Sequence, residues 1–271
     1  MFREQTKVLE NIAINDSHRL LKVYAPKSAR AAEPGQFAEL ATSGATLLRK
    51  PISIASADGD ELTFVYRIIG NGTKALAALQ PGNTLDIIAP LGKGFYLLQK
   101  KALLIGGGVG VPPLWFLSKK LLEKGVPVFV VTGARTKTDL LLQKELAALG
   151  PNAQVSDFSS SEFAEASFKV AAATDDGSCG VHGTVIDVLE KIGPSLSGYT
   201  AYACGPQPML HALFDYSKAR GLSLQVCMEA YMGCGFGVCV GCALPTLHGM
   251  KRVCKDGPVF NAEEILWDKI H

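Results

Sequence analysis

Two rhythms of apolar and polar positions divide the chain. Up to about residue 98, short apolar and β-branched runs alternate with turn signals: HRLLKVYAP, QFAEL after Pro34-Gly35, PISIAS, ELTFVYRIIG after Asp58-Gly59, and NTLDIIAP after Pro81-Gly82. Runs of this length and spacing predict the strands of an antiparallel barrel. A helical period shows only over 74–80, a short stretch behind a glycine turn.

From Lys101 the order becomes strand, glycine turn, helix: KALLI, GGGVGVPP, LWFLSKKLLEKG, then the strand VPVFVVTGA and the helix DLLLQKELAALG. QVSDFS, FKVAAAT and GYTAYACG read as further strands, TVIDVLEKIG and PQPMLHALFDYSKARG as further helices. This βαβ alternation predicts a parallel sheet covered by helices. Beyond residue 222, MEAYMGCGFGVCVGC has almost no periodicity, so a core alone does not hold it and a metal centre is expected to organise it. The domains expected are therefore 1–98, 99–222 and 223–271.

Composition narrows the function classes. A chain of 271 residues, 48% apolar and 19% charged, is not extended disorder, and the apolar excess argues that part of its surface meets another protein. Lys plus Arg total 27 against 25 Asp plus Glu, with no basic block, so nucleic acid is not an expected partner. MFREQTKVLE has neither a basic n-region nor an apolar h-region. The longest apolar stretch, 102–117, is broken by glycines and prolines and is too short to span a bilayer. A cytoplasmic protein without a membrane segment is expected. Seven cysteines in a reducing compartment argue for thiolate ligation over a disulfide framework.

The cysteines carry the sharpest chemistry. Cys234-x4-Cys239-x2-Cys242, completed by Cys254, has the plant-type ferredoxin spacing for a 2Fe-2S cluster. Gly233, Gly235, Gly237 and Gly241 let the backbone curl and aim N–H groups at the sulfurs. The competing readings are a structural zinc site, which usually shows two C-x2-C knuckles, and unrelated buried thiols.

Two further motifs point to phosphate-bearing ligands. Lys50-Pro51-Ile52-Ser53 lies in a strand, followed by Val65-Tyr66-Arg67 and then by Gly70-Asn71-Gly72-Thr73 opening a short helix. A helix start with glycines and a hydroxyl can cradle an anion, although GNGT alone also reads as an ordinary turn with an N-cap. KALLI runs into Gly106-Gly107-Gly108-Val109-Gly110, and GYTAYA runs into Cys204-Gly205-Pro206-Gln207-Pro208-Met209. Both turns fall where doubly wound sheets bind ligands. The first is not a G-x-G-x-x-G, because Val111 takes the sixth place, while Pro112 and Pro113 suit a helix start.

On these residues the chain resembles ferredoxin-reductase-type flavoproteins. The K-P-I-S strand, the G-N-G-T turn, GGGVGVPPL, Thr174-Asp175-Asp176-Gly177-Ser178, CGPQPM and the cysteine loop with CKDGPVF look more narrowly like the electron-transfer subunits of two-component, NAD-linked dihydroorotate dehydrogenases. The resemblance spans essentially the whole chain. It implies a flavin-binding antiparallel β-barrel, a doubly wound parallel α/β nucleotide-binding domain and a small C-terminal 2Fe-2S domain. It assigns FAD to Lys50, Pro51, Ile52, Ser53, Val65, Tyr66, Arg67, Gly72 and Thr73. It assigns NAD to Gly106, Gly107, Gly108, Gly110, Cys204, Gly205, Pro206 and Met209, and the cluster to Cys234, Cys239, Cys242 and Cys254.

The resemblance also implies the electron route. An FMN-binding catalytic subunit oxidises dihydroorotate to orotate, as in pyrimidine biosynthesis, and electrons then cross the 2Fe-2S cluster and FAD to NAD+. The resemblance implies a heterotetramer of two copies of each subunit, and the apolar, glycine-rich cluster loop is the expected docking surface. No catalytic side chain is required, and none is found as a triad. The alternatives are the small subunit of another iron-sulfur flavoprotein, such as an NADH-dependent ferredoxin:NADP oxidoreductase or a sulfide dehydrogenase, and a zinc-stabilised non-enzymatic module.

One departure concerns the flavin strand, where Lys50 takes the place of an arginine. It keeps the charge and loses the bidentate fork, while Arg49 should point to the opposite strand face. Arg135 and Lys137 follow the second strand of the α/β domain without a decisive acidic residue to choose between NAD and NADP. Cys179 and Cys227 are expected as small buried residues, Trp115 and Trp267 as packing residues, and the five histidines show no ligand spacing. Cys204 stays open between packing and a place near the nicotinamide and flavin rings, and Glu229 has no assigned role.

Overall fold

The computed structural model describes residues 1–42, 44–98, 101–151, 167–196 and 198–270. The expected strand QVSDFS, at 154–159, lies outside the described residues. The chain forms two compact units. One comprises Met1–Phe95, Met228–Val259 and Glu264–His271, and the other comprises Tyr96–Cys227 with Phe260–Glu263.

In the first unit, β1 (Phe2–Ala13), β2 (His18–Tyr24), β3 (Phe37–Leu40), β4 (Lys50–Asp58), β5 (Glu61–Arg67) and β6 (Thr84–Leu91) close a barrel in the order β1-β2-β5-β4-β3-β6. Every pairing is antiparallel. Leu21, Val23, Leu40, Ile54, Phe64 and Ile87 fill the interior at 0% exposure, as the period of two demands. Helix α1 (Pro26–Ala31) links β2 to β3, and α2 (Asn71–Ala77) follows β5.

β1 has no apolar alternation in the sequence, yet it pairs along both edges. Its buried positions include Thr6 and Asn11, which are polar and satisfied: Thr6 Oγ1 donates to Leu85 O at 2.8 Å, and Asn11 Nδ2 donates to the carbonyls of Leu76 and Leu79, each at 2.8 Å. Asn11 thereby caps the C-terminal end of α2, where carbonyls lack helical partners.

In the second unit, β7 (Lys101–Gly107), β8 (Val128–Ala134), β9 (Phe168–Thr174), β10 (Val181–His182), β11 (Tyr199–Cys204) and β12 (Leu224–Cys227) form a sheet in the order β10-β9-β8-β7-β11-β12. All five of these pairings are parallel. The strand order reverses beside β7, the first strand in sequence, which is the doubly wound arrangement. Helices α3 (Val111–Glu123), α4 (Gln143–Ala147), α5 (Val185–Ile192) and α6 (Gln207–Arg220) supply the crossovers. The helix expected over 139–150 shrinks to five residues, because Leu142 is left-handed at φ 55° and, with Leu140 and Leu141, separates the 3-10 turn Lys137–Asp139 from α4. α5 carries a capping box at Thr184 and Asp187.

The cysteine-rich segment belongs to the barrel's unit. It holds the hairpin β13 (Ala243–Thr246) and β14 (Gly249–Arg252), the single turn α7 (Val253–Asp256) and β15 (Val259–Asn261), whose residues from Phe260 join the parallel sheet's unit. No helix among the described residues is long and apolar enough to cross a membrane.

Candidate functional site

The flavin-strand motif sits where the barrel wall loosens. The β4–β5 ladder begins at Ile54 opposite Phe64, so 50–53 pair only with β3 and 65–67 only with β2. Arg49 to Ser53 are half-exposed in a row, although the next three residues are buried. Strand alternation sends the two cations to opposite faces. Arg49 lies on the outside, donating to Asp86 Oδ2 at 2.8 Å and to Asp86 O at 2.9 Å. Lys50 crosses Gly72, its Cδ 3.1 Å from where a β-carbon of residue 72 would stand.

The G-N-G-T turn is ordered by its own threonine. Thr73 Oγ1 accepts from the N–H groups of Ile69 at 2.9 Å and Gly70 at 3.1 Å, and it donates to Gly70 O. Thr73 and Gly72 are buried, Val65 and Tyr66 have buried side chains, and Arg67 is exposed. Burial pushes the Tyr66 phenol up to about 12. The motif residues thus gather a cation, a short helix start and open strand backbone, which suit a pyrophosphate. Val65 and Tyr66 can offer such a ligand only backbone.

In the parallel sheet, the two glycine turns are packed on each other. Cys204 pairs with Gly106 across β11 and β7. A β-carbon at Gly110 would run into the carbonyl of Cys204, and one at Gly107 would stand 2.7 Å from Met209 Sδ. Gly108 alone of this run is left-handed, at φ 52°, with open space around it. Gly107 and Gly110 are therefore explained by packing of the first turn against CGPQPM, whereas Gly108 leaves backbone open to a ligand.

The carboxyl ends of β8 and β9 are tied together as well. Asp175 N–H donates to Ala134 O, Asp176 N–H to Arg135 O, and Lys137 N–H to Ser178 Oγ at 2.8 Å. Hydrogen bonds from Ser178 hold the Asp176 carboxyl below its usual range. Acidic residues at this edge come from both segments: Asp139 after β8 stands 4.0 Å from Arg135 Nε, and Asp175 and Asp176 follow β9. Their signal was present as the Asp175-Asp176 pair ending an apolar run.

The four predicted ligand cysteines come together as two pairs. Cys234 Sγ accepts from the N–H groups of Val238 at 3.4 Å and Cys239 at 3.5 Å, and it is hydrogen-bonded to the Cys239 thiol. Cys242 Sγ and Cys254 Sγ stand 3.2 Å apart. Burial pushes Cys234 up, but N–H donors from Cys239, Phe236 and Val238 outweigh it and bring the thiol down to about 6. Burial, then the Cys242 thiol, push Cys254 up to about 12. Val240, between the pairs, is left-handed at φ 59°, an outlier for a β-branched residue.

Among the described residues no three metal-ligating side chains converge on one point. Two thiol pairs with N–H groups aimed at sulfur fit two irons, each taking two thiolates, better than one tetrahedral ion. Of the other cysteines, Cys227 and Cys204 are buried, and Cys179 is half-exposed, contrary to the expectation of burial. Its N–H donates to Thr174 Oγ1 at 3.0 Å.

Sequence reasoning missed Glu39. It lies on β3 opposite Pro51, is 2% exposed, and neither carboxylate oxygen has a hydrogen-bond partner. Burial, opposed by Arg49, pushes its carboxyl up to about 7. The available signal was a lone acid inside the apolar run QFAEL.

Comparison with known proteins identifies the domains that carry the cysteine loop and the glycine turns of the parallel sheet. Residues 229–266 match the family model of the iron-sulfur cluster binding domain of dihydroorotate dehydrogenase B, and residues 104–214 match that of the oxidoreductase NAD-binding domain. The chain is 41% identical over 245 residues to the dihydroorotate dehydrogenase B (NAD+) electron transfer subunit of Geobacillus kaustophilus, covering 86% of this chain and 87% of that one. It is 38% identical over 275 residues to that of Geobacillus thermodenitrificans, covering 97% and 98%.

Among solved structures, a chain of an NADH-dependent reduced ferredoxin-NADP oxidoreductase superposes with a TM-score of 0.83 at 27% identity, covering 98% of this chain and 91% of that one. A ferredoxin NADP+ reductase from Neisseria gonorrhoeae, with bound FAD and NADP, shares the fold at a TM-score of 0.65 and 19% identity, covering 81% and 92%. With the thiol pairs in place and this identity running from end to end, the chain belongs to the family of electron transfer subunits of NAD+-dependent dihydroorotate dehydrogenase B.

Proposed function

We propose that this chain is the electron-transfer half of a dihydroorotate dehydrogenase, taking electrons from a catalytic subunit and delivering them to NAD+. The observation that carries the reading is the joining, in one compact unit, of a flavin-type barrel with a loop bearing two thiol pairs. The flavin, once bound, exchanges the two electrons of a hydride for the single electrons an iron-sulfur cluster carries.

The chain's own residues bind and orient. Lys50, backed by Gly72 and the start of α2, neutralises the flavin pyrophosphate, while Pro51, Ile52 and Ser53 present strand backbone, with Val65, Tyr66 and Arg67 on β5 and Thr73 ordering the turn. Gly106, Gly107, Gly108 and Gly110, with Cys204, Gly205, Pro206 and Met209, form the NAD-binding edge of the parallel sheet, and Gly108 leaves the open approach. Cys234 with Cys239 and Cys242 with Cys254 would hold the 2Fe-2S cluster, which supplies one-electron transfer. The partner is an FMN-binding catalytic subunit, two of each subunit assemble, and the complex is cytoplasmic, where thiolate ligands stay reduced. Tyr231, Val238 and Val240, which are 98%, 73% and 54% exposed, support docking of that partner on the cluster loop.

The test is an absorption spectrum of the anaerobically purified chain with each electron donor. NADH should bleach the flavin and cluster bands, and dihydroorotate alone should leave them oxidised. Adding the FMN-bearing partner should restore dihydroorotate-dependent NAD+ reduction. Bleaching of the lone chain by dihydroorotate would place the substrate site here and overturn the division of labour. A colourless protein containing zinc would overturn the whole reading.

A further inference from the structure

The barrel has a carboxyl group in a place where carboxyl groups are costly. On β3, Leu40 opposes Ile87 of the barrel interior, so Glu39 beside it faces outward. An outward glutamate is ordinarily solvated, but Glu39 is 2% exposed because the cysteine loop covers it. A β-carbon on Gly235, the residue after Cys234, would stand 2.5 Å from both Glu39 Cγ and Oε1, and the left-handed φ of 79° at Gly235 keeps the loop in that approach. On its other side Glu39 pairs with Pro51 of the flavin strand.

With no hydrogen-bond partner for either carboxylate oxygen, it acts on its surroundings through charge when ionised, the form that predominates above about pH 7. The charged or titratable groups that act on it are Arg49, Cys234 and Lys50. Arg49 spends its hydrogen bonds on the Asp86 carboxylate and on carbonyls, the Glu39 main-chain oxygen among them, and none reaches the Glu39 carboxyl. Burying a carboxyl group without a partner is unfavourable, so a fold that only needed packing would place an apolar side chain here. A negative charge beside an iron-sulfur cluster opposes the arrival of an electron, and cluster potentials are set by local charge and by hydrogen bonds to sulfur.

We propose that Glu39 is a positioning residue of the electron route, a fixed acid between the flavin strand and the cluster loop that lowers the reduction potential of the cluster. The proposal rests on the assignment of the cluster to Cys234, Cys239, Cys242 and Cys254. It adds that a barrel residue, far from the loop in sequence, tunes the poise of that cluster against the flavin.

The experiment is a redox titration of the full chain, followed by electron paramagnetic resonance of the reduced cluster, on the unaltered protein, on Glu39→Gln and on Glu39→Asp, with Glu10→Gln as a carboxylate removed elsewhere on the barrel. At a pH well above 7, where Glu39 is ionised, Glu39→Gln should favour the reduced cluster by about tenfold, which for one electron is about 59 mV toward positive potential. Glu39→Asp should restore most of the original value, and Glu10→Gln should not move it. A shift below twofold, or toward negative potential, overturns the role of Glu39 while leaving the cluster assignment intact. If Glu39→Gln loses iron, Glu39→Met takes its place in the comparison, and loss of iron from both neutral variants overturns the proposal in favour of a structural role. Absence of the reduced-cluster signal from the unaltered, iron-bearing chain strikes instead at the cluster assignment.

Discussion

Lys50 lies across Gly72, with its side chain filling the space that a β-carbon at that position would take. One cation of the pair Arg49-Lys50 thus guards the start of α2, and the other is tied to Asp86 on the far face of the strand. The atoms in the way are the flexible end of a lysine, so Gly72→Ala should leave the fold stable while driving the ammonium aside. Flavin retention should fall by about tenfold or more, the scale of one charge-assisted contact. Lys50→Ala should match that loss, and Arg49→Ala should not. Fluorescence titration of flavin into the deflavinated chain measures all three, and equal losses for Arg49→Ala and Lys50→Ala would refute the division between them.

Asp86 is the reason that Arg49 stays on its own side. Burial raises the carboxyl, but hydrogen bonds from Arg3 and Arg49 outweigh it, so the folded value lies below the ordinary 3.8. A carboxylate with a depressed folded value stabilises the protein above its unfolded value, and the stabilisation is lost as pH falls through the folded one. Asp86→Asn should therefore cost on the order of 1 kcal/mol near neutrality, a modest figure because Arg3 is exposed and screened. Unfolding midpoints of the two proteins should converge as the pH drops below about 4. A difference that persists unchanged into acid would mean that packing, and not charge, holds Asp86.

The glycine run after β7 separates packing from access. Gly110→Ala would press a methyl group into the backbone of Cys204, which cannot yield as a side-chain end does, and a loss of several kcal/mol or failure to fold is expected. Gly108→Ala meets open space and carries only the left-handed cost, about 1 kcal/mol. It should nevertheless weaken NADH binding, since it places a methyl group on the one open stretch of backbone. Thermal midpoints with NADH affinities for both variants distinguish the cases, and a Gly108→Ala protein with unaltered affinity would move the nucleotide elsewhere.

The legible and the hidden parts of this chain differ in the range over which their cause acts. FKVAAAT is β9 residue for residue, and the helix behind CGPQPM begins and ends within a residue of its expected bounds, because period and punctuation are local. β1 was invisible because two of its inward residues, Thr6 and Asn11, are polar and answered by carbonyls of β6 and α2. Glu39 read as a strand residue, but the loop that buries it comes from the other end of the chain. The motif cysteines are legible by spacing alone, because a metal centre would fix the distances between its ligands, and the structure gathers all four of them. Their arrangement in two pairs needed coordinates.

That pairing makes the strongest demand on experiment. Cys234 and Cys239 sit at the exposed side of the loop, under a shell of N–H donors, while Cys242 and Cys254 are buried side by side. Serine at any of these four positions removes one thiolate from one iron and should abolish or sharply reduce the bound iron. Loss of a buried ligand should be the more damaging, because Cys242 and Cys254 are each 2% exposed and solvent cannot readily replace the missing thiolate. Serine at Cys179, Cys204 or Cys227 should leave the iron content unchanged. Cys227→Ser costs stability instead, as a hydroxyl replaces a thiol that is 3% exposed. Iron analysis with visible absorption across the seven variants gives the answer, and a cluster that survives Cys254→Ser but not Cys227→Ser would show that the wrong fourth ligand has been chosen.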